Sequence, residues 1–284
     1  MVKKHISKIP LRKQDTHKGD FGHVFVLAGS TGMTGAAYLS AQAALLSGSG
    51  LVTCGIPESL NSIMEVKLTE VMTLPLPETK EATLALDGEK EIVDFSVKVD
   101  VVAMGPGLSK NRVTQKLVRS LLDKIDKPIV LDADGLNAIA DDCRLVNRDA
   151  PTILTPHAGE MSRLTKKDIN EIQQNREDIA RDFAKRHKVI VVLKGYRTVV
   201  VNAKGAVYVN KTGNSGMSTA GVGDVLTGMI SSFVGQGIDP YSAAVIGVYL
   251  HGLAGDIAAK EKGPFSLIAR DILDKLPKAI QSVV

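Results

Sequence analysis

The feature of the sequence that most constrains the fold is a polar, glycine-rich segment that runs directly into an apolar stretch. The segment spans residues 210–224 and ends in Gly221-Val222-Gly223-Asp224. The apolar residues that follow recur at helical spacing and predict a buried helix from near Gly221 to Gly235 or Gly237. The first backbone N–H groups of such a helix have no intrahelical partner and lie at a positive dipole end. The segment therefore predicts an anion site.

A carboxylate, Asp224, lies in the first turn of the same predicted helix. A base at this position could take the proton from a hydroxyl while the free N–H groups stabilise the charge that develops. A first-turn acid can equally do no more than complement the helix dipole. Because short glycine motifs also match by chance, this stretch alone leaves both interpretations open.

Length and composition favour one soluble domain. The chain has 284 residues, of which 44% are hydrophobic, enough to bury one large core or two small ones. No low-complexity linker or internal repeat marks a boundary, so we expect a single domain over residues 1–284. No apolar run reaches the length of about 18 residues that a membrane helix needs, and the first residues lack a signal-peptide core. We therefore expect a cytoplasmic protein that does not enter a membrane.

The charge pattern argues against a nucleic-acid partner. The net charge of +4 comes from 35 basic and 31 acidic residues scattered along the chain, and only 4% of the residues are aromatic. There is thus no basic stripe and little stacking surface for bases, although a small phosphorylated ligand would suit this surface. Cys54 and Cys143 fall in no metal-binding or disulfide spacing, so we expect both to be reduced.

Short apolar runs alternate with helical patterns along most of the chain, which predicts βαβ units and a mostly parallel sheet. Two further runs, 198–202 and 206–209, predict an antiparallel hairpin at the sheet edge. Thr34 is expected to cap an alanine-rich helix, and one long outer helix is expected from Asp168 to His187. The last helix, from Ser266, should be interrupted near Pro277. Glycines along the preceding helix predict close packing against a neighbouring helix or subunit; they are Gly247, Gly252 and Gly255.

Several candidate site residues come directly after predicted strands, where open parallel sheets bind ligands. Asp132 and Asp134 follow one strand, and this position favours a pocket over a purely structural role, although Asp134 could be only a helix cap. His157 follows the next strand and has no second histidine nearby, so it does not indicate a metal site. Lys194 follows the most apolar run of all, where it could end the strand in solvent or meet nucleotide phosphates.

Taken together, these loops resemble those of the ADP/ATP-dependent NAD(P)H-hydrate dehydratases, members of the ribokinase-like superfamily. The resemblance covers nearly the whole chain in the same order. It implies a three-layer α/β/α fold and repair of hydrated NADH and NADPH, in which a nucleotide phosphorylates the ring hydroxyl and phosphate is then eliminated. The motifs are Gly29-Ser30 with Gly35-Ala36-Ala37, residues 104–108, residues 131–137, residues 155–160, Lys194-Gly195 and residues 221–229.

The resemblance also implies residue roles. Asp224 would be the base on the substrate hydroxyl, with an anion hole formed by Gly221, Val222 and Gly223. The hydrated dinucleotide would contact Asp224 together with Ala37, Gly107 and His157. ADP or ATP, with Mg²⁺ bridging its phosphates, would be held by Lys194, Gly195, Tyr196, Arg197, Thr198 and the loop from Asn214 to Gly223. No residue is expected to form a protein metal site. A homo-oligomer is also implied, with a tetramer favoured.

Two departures from the family pattern stand out. Val222 occupies a position where the family usually has Ser or Thr, which removes a side-chain contact to phosphate but leaves the backbone N–H. Many relatives also carry an N-terminal epimerase domain, which we do not expect in this chain.

Two other functions fit the same loops. A ribokinase-like kinase acting on a vitamin-precursor alcohol would use the same anion hole and Asp224 but release a stable phosphate ester. A nucleotide-sensing module without turnover would need only the N–H groups, so the presence of Asp224 argues mildly against it.

Overall fold

The computed structural model describes residues 2–284 and contains one nine-stranded sheet in the order β3-β2-β1-β4-β5-β6-β7-β8-β9. Strands β1 to β7 pair in parallel, and β7, β8 and β9 pair antiparallel. This confirms the predicted parallel sheet and edge hairpin. The strands are β1 His23–Leu27, β2 Leu51–Pro57, β3 Met72–Leu76, β4 Val101–Met104, β5 Ile129–Leu131, β6 Thr152–Leu154, β7 Ile190–Leu193, β8 Val199–Val201 and β9 Val207–Val209.

Helices cover both faces of the sheet, because the strands are apolar on both sides. Along β1, Val24 and Val26 belong to one apolar cluster while Phe25 and Leu27 belong to another on the opposite face. The three-layer α/β/α prediction is therefore confirmed. The helices are α1 Lys3–Ile6, α2 Thr34–Leu46, α3 Asn61–Lys67, α4 Glu89–Ser96, α5 Arg112–Lys124, α6 Ala133–Ile139, α7 Ala158–Thr165, α8 Ile169–Gln174, α9 Arg176–His187, α10 Val222–Gly235, α11 Pro240–Lys262 and α12 Ala269–Gln281.

The helix predicted after the glycine segment is α10, with Gly221 as its N-cap and every residue from Val225 to Gly235 buried. It packs against α2, α11 and α12 on the first face of the sheet. Within the described residues, α11 is the one helix long and apolar enough to cross a membrane, with a mean hydropathy of 1.3. Because 72% of that stretch is buried inside the protein, α11 is a core helix.

Three local predictions were wrong. Thr34 is the first helical residue of α2, and Met33 is the N-cap without a side-chain cap. The expected helix from Asp168 to His187 is two helices that break at Asn175, whose backbone leaves the helical region; Asp168 caps the first by accepting from the backbone N–H of Asn170. The last helix continues through Pro277, because Pro277 lies on its exposed side while the opposite side packs on α11.

The order of the strands creates a switch point between β1 and β4. Strands β2 and β3 extend the sheet on one side of β1, and β4 and all later strands extend it on the other side. The loops that follow these two strands meet there. The backbone N–H of Gly29 donates to the Pro106 carbonyl at 2.8 Å, and the Ser30 hydroxyl donates to the Gly107 carbonyl at 2.8 Å. Two of the glycine motifs found in the sequence are therefore joined by hydrogen bonds at the switch point.

Candidate active site

A cavity of about 970 Å³ opens beside the N-terminus of α10. Such a volume is large enough for a nucleotide. Its walls include the predicted segment from Lys194 to Thr198 and most of the loop from Asn210 to Gly223. The remaining lining residues are His157, Leu226, Val248, His251 and Gly252. The structure thus brings together the two segments that were predicted to hold the nucleotide, although they lie apart in the sequence. His157, which was predicted to contact the dinucleotide, lies in the same cavity wall.

The glycine loop is anchored on α11. The carboxylate of Asp256 accepts from the backbone N–H of Gly213 at 2.9 Å and from the side-chain amide of Asn214 at 3.0 Å. The helix can approach the loop this closely because Gly252 faces it. A side chain at this position would clash, since an added Cβ atom would lie 2.3 Å from the Thr212 hydroxyl oxygen. The predicted close packing of the α11 glycines therefore involves the ligand loop itself, whereas Gly247 packs against Ile230 of α10.

Backbone groups form the candidate anion hole at the start of α10. Gly221 has a φ of +87°, a left-handed conformation that favours glycine, and it turns the loop into the helix. The side chain of Val222 is only 6% exposed and belongs to the apolar core. Valine at this position therefore contributes packing, and its N–H and that of Gly223 are among the first N–H groups of α10, which have no intrahelical partner.

Lys194 is not a free cation at a strand end. Its ammonium donates to the carboxylate of Asp132 at 2.6 Å, and the Thr227 hydroxyl donates to the other oxygen of that carboxylate at 2.8 Å. Burial lowers the pKa of Lys194, but Asp132 and Glu160 outweigh this effect and leave the pKa above its ordinary value. The ammonium is therefore charged. It lies close to Gly223, because a Cβ atom added to this glycine would be 3.1 Å from the Lys194 nitrogen.

Asp224 has the electrostatic properties of a general base. Burial, with a further contribution from Asp132, raises its pKa from 3.8 to about 7, although Lys194 lowers it. A base works best when its pKa is near the working pH, and strongly shifted groups of this kind concentrate at functional sites. Asp224 does not itself line the cavity, whose wall passes along Gly223 and Leu226. The carboxylates whose charges act on Asp224 are Asp132, Glu160 and Asp134.

The predicted dinucleotide contacts have different exposures. Ala37 is fully buried, and Gly107 is buried against Met33 and Ala36, so both are closed to a ligand in this conformation. Their contact with a dinucleotide stays a prediction. His157 lines the cavity and also caps α7, because its Nδ1 accepts from the backbone N–H of Gly159 at 2.9 Å.

The proton of neutral His157 is on Nε2, since Nδ1 accepts a hydrogen bond. Burial and the charge of Lys194 lower the pKa of this ring, so the neutral form is favoured. The ring is held at both nitrogens, because Nδ1 accepts from the backbone of α7 and Nε2 lies 3.3 Å from Oε1 of Glu160 in the same turn. The contact of His157 with the dinucleotide stays a prediction.

The two aspartates after β5 have distinct roles. Asp132 is the N-cap residue of α6, but its side chain is turned to Lys194 and Thr227. Asp134 lies in the first turn of α6 and accepts from the backbone N–H of Ser109 at 2.9 Å. Asp134 is thus no simple helix cap, because it fixes the loop after β4.

Among residues 2–284, no three His, Cys, Asp or Glu side chains are grouped closely enough to hold a metal ion. Cys54 and Cys143 are both free thiols, and burial raises the pKa of the Cys54 thiol to about 12. Neither cysteine is therefore placed or ionised for chemistry.

Comparisons with known proteins agree with this geometry. A family model described as NAD(P)H-hydrate dehydratase matches residues 24–278. A bifunctional NAD(P)H-hydrate repair enzyme of Moorella thermoacetica is 46% identical over 98% of this chain and 52% of its own length. The chain therefore spans about half the length of the curated relatives that match it most strongly. An ADP-dependent (S)-NAD(P)H-hydrate dehydratase of Bacillus subtilis is 35% identical over 95% of this chain and 93% of its own.

Solved structures extend the similarity to the fold. The ADP/ATP-dependent NAD(P)H-hydrate dehydratase from Bacillus subtilis, co-crystallised with ATP and Mg²⁺, superposes with a TM-score of 0.86 at 31% identity, over 100% of this chain and 98% of that one. A ribokinase from Thermotoga maritima has a TM-score of 0.57 at 15% identity, over 92% of this chain and 98% of that one, which shows the ribokinase-like fold alone. From the family match and the near-complete coverage of the Bacillus proteins, this chain belongs to the NAD(P)H-hydrate dehydratase family.

Proposed function

We propose that this protein uses ADP or ATP to dehydrate NADHX and NADPHX, the hydrated forms of NADH and NADPH, and so restores the reduced cofactors. The observation that carries the proposal is the position of Asp224, a carboxyl in the first turn of α10 beside backbone N–H groups that have no intrahelical partner. Burial and Asp132 also raise its pKa to about 7. Family membership supplies the reaction class. Asp224 supplies a base at the position where that reaction needs one.

The two substrates would bind on opposite sides of the α10 N-terminus. The cavity lined by Tyr196 and the glycine loop suits the adenine nucleotide, because backbone N–H groups and Lys194 supply positive charge for phosphates. The loops after β1 and β4 suit the hydrated dinucleotide, since they meet at the switch point of the sheet. The transferred phosphoryl group would then lie over Gly221, Val222 and Gly223, between the two ligands.

The reaction would have two steps. Asp224 takes the proton from the ring hydroxyl, whose oxygen bonds to the terminal phosphorus of the nucleotide as the phosphoanhydride bond breaks. The N–H groups of Val222 and Gly223 stabilise the charge on the transferring group. In the second step the ring C–O bond breaks, phosphate leaves with the former hydroxyl oxygen, and a proton leaves the neighbouring ring carbon to restore the double bond.

Magnesium would enter with the nucleotide. Mg²⁺ needs few protein ligands when substrate phosphates and waters complete its shell. The described residues offer no protein cage of three or more ligands, and the buried carboxylate of Asp132 is already paired with Lys194. We therefore assign no chemical step to a protein-bound metal.

The test is to incubate the protein with NADHX and either ADP or ATP and to follow the absorbance of reduced nicotinamide. A dehydratase restores the absorbance and releases phosphate in equal amounts. A kinase of another alcohol leaves NADHX unchanged, and a nucleotide sensor binds the nucleotide without consuming it. Either of these last two results would exclude the proposed function.

A further inference from the structure

His251 of α11 makes a buried contact with the candidate anion hole. Its Nε2 lies 2.9 Å from the carbonyl oxygen of Val222, the first residue of α10, and the histidine is 7% exposed. A carbonyl oxygen only accepts, so Nε2 must carry the proton and donate it. Burial lowers the pKa of His251 to about 4, which keeps the ring neutral at physiological pH.

The position of this contact matters because of peptide geometry. The carbonyl of Val222 and the N–H of Gly223 belong to the same planar peptide, and in a trans peptide they have opposite directions. The N–H of Gly223 is one of the unpaired groups at the start of α10. Within α10 this carbonyl also faces the N–H of Leu226, so His251 is a second donor that adds to the restraint on the peptide and on the direction in which the Gly223 N–H is presented.

We propose that His251 is a positioning residue that orients the Val222–Gly223 peptide so that the Gly223 N–H is directed at the transferring phosphoryl group. This inference rests on the proposed function but adds a residue to which neither the sequence motifs nor the family resemblance gave a role. His251 acts through the peptide and exchanges no proton with substrate. Its effect is therefore on turnover, since small misplacements of a catalytic group can cost about 100-fold in rate.

The test uses two substitutions and a matched control. His251→Leu removes the donor, and His251→Gln retains an N–H donor, its side-chain amide, at a similar reach from the backbone. The control is His5→Leu, because His5 is also buried and bonds to α11, with its Nδ1 2.8 Å from the Ser242 hydroxyl, far along the helix from the cavity. For each protein we would measure kcat and KM for NADHX, nucleotide binding by calorimetry, thermal unfolding, and the amide NMR resonance of Gly223.

We expect His251→Leu to lower kcat by about 10- to 100-fold and to shift the Gly223 amide resonance. His251→Gln should recover part of kcat, and His5→Leu should lose stability while keeping kcat. The inference is overturned if His251→Leu keeps kcat within about twofold, or if its Gly223 resonance is unchanged. If the unaltered protein does not turn over NADHX, the proposed function fails, and the Gly223 resonance still decides whether His251 orients the peptide.

Discussion

Replacing Asp224 with asparagine should separate activity from stability. Asp224→Asn keeps the shape of the side chain and removes its basicity. If Asp224 is the general base, turnover should fall by about 100- to 10,000-fold, the range for positioned acid–base groups. Binding of the nucleotide and of NADHX should persist, because the cavity lining and the N–H groups of α10 are unchanged.

The same substitution should stabilise the folded protein. A pKa raised from 3.8 to about 7 means that the ionised carboxylate is disfavoured by folding. The full pKa shift corresponds to a destabilisation of the folded state by about 4 kcal/mol. Because solvent screens this partly exposed carboxylate, we expect Asp224→Asn to raise the free energy of unfolding by about 1–2 kcal/mol. The destabilisation by the ionised Asp224 is complete above pH 7 and decreases as the pH falls toward 4. It is absent below pH 4, where the carboxyl is protonated in both the folded and the unfolded protein.

The assay is paired thermal unfolding and NADHX turnover on the same preparations at pH 8 and pH 4. We expect Asp224→Asn to melt at a higher temperature than the unaltered protein at pH 8 and at the same temperature at pH 4. If Asp224 only complemented the helix dipole, the substitution would instead cost about 0.3–1 kcal/mol and leave turnover intact. That result would refute the reasoning from burial and charge.

Three further predictions follow from the site. The value of kcat/KM should rise with pH through about 7, because the ionised form of Asp224 is the base; a flat pH profile would count against this assignment. Lys194→Ala should weaken nucleotide binding much more than NADHX binding in calorimetry, and it should lower the melting temperature because buried Asp132 loses its partner. Asp256→Ala should raise the nucleotide KM about tenfold with little change in kcat, since two hydrogen bonds to the glycine loop are lost, and Asp256→Asn should have a smaller effect.

The sequence predicted those helices and strands whose formation depends on neighbouring residues in the chain. The start of α10 follows from a glycine that tolerates positive φ and from apolar residues at helical spacing, both visible in the sequence. The edge hairpin follows from two short β-branched runs around a glycine turn. The break at Asn175 was missed because the charged residues on both sides fit one helical pattern.

The long-range pairs could not be predicted in the same way. Lys194 and Asp132 are 62 residues apart and follow two strands that are separated by β6 in the sheet. Their contact depends on the strand order and on α10, where Thr227 bonds to Asp132 and Gly223 lies beside Lys194. His251 and Asp256 were missed for the same reason, since α11 looks like an ordinary apolar helix until its packing against the glycine loop is known. The spacing of Gly252 and Gly255 before Asp256 was the available signal, and it indicated close packing without identifying the partner.

The measurement that tests the central claim most directly follows the oxygen of the substrate hydroxyl. NADHX carrying an isotopically labelled ring hydroxyl would be incubated with the protein, Mg²⁺ and ATP or ADP, and the released phosphate would be analysed by mass spectrometry. Phosphorylation followed by elimination predicts that each phosphate contains one labelled oxygen. Label found in water, with unlabelled phosphate or none, would show that the hydroxyl leaves without phosphoryl transfer and would contradict the role assigned to Asp224 and the anion hole.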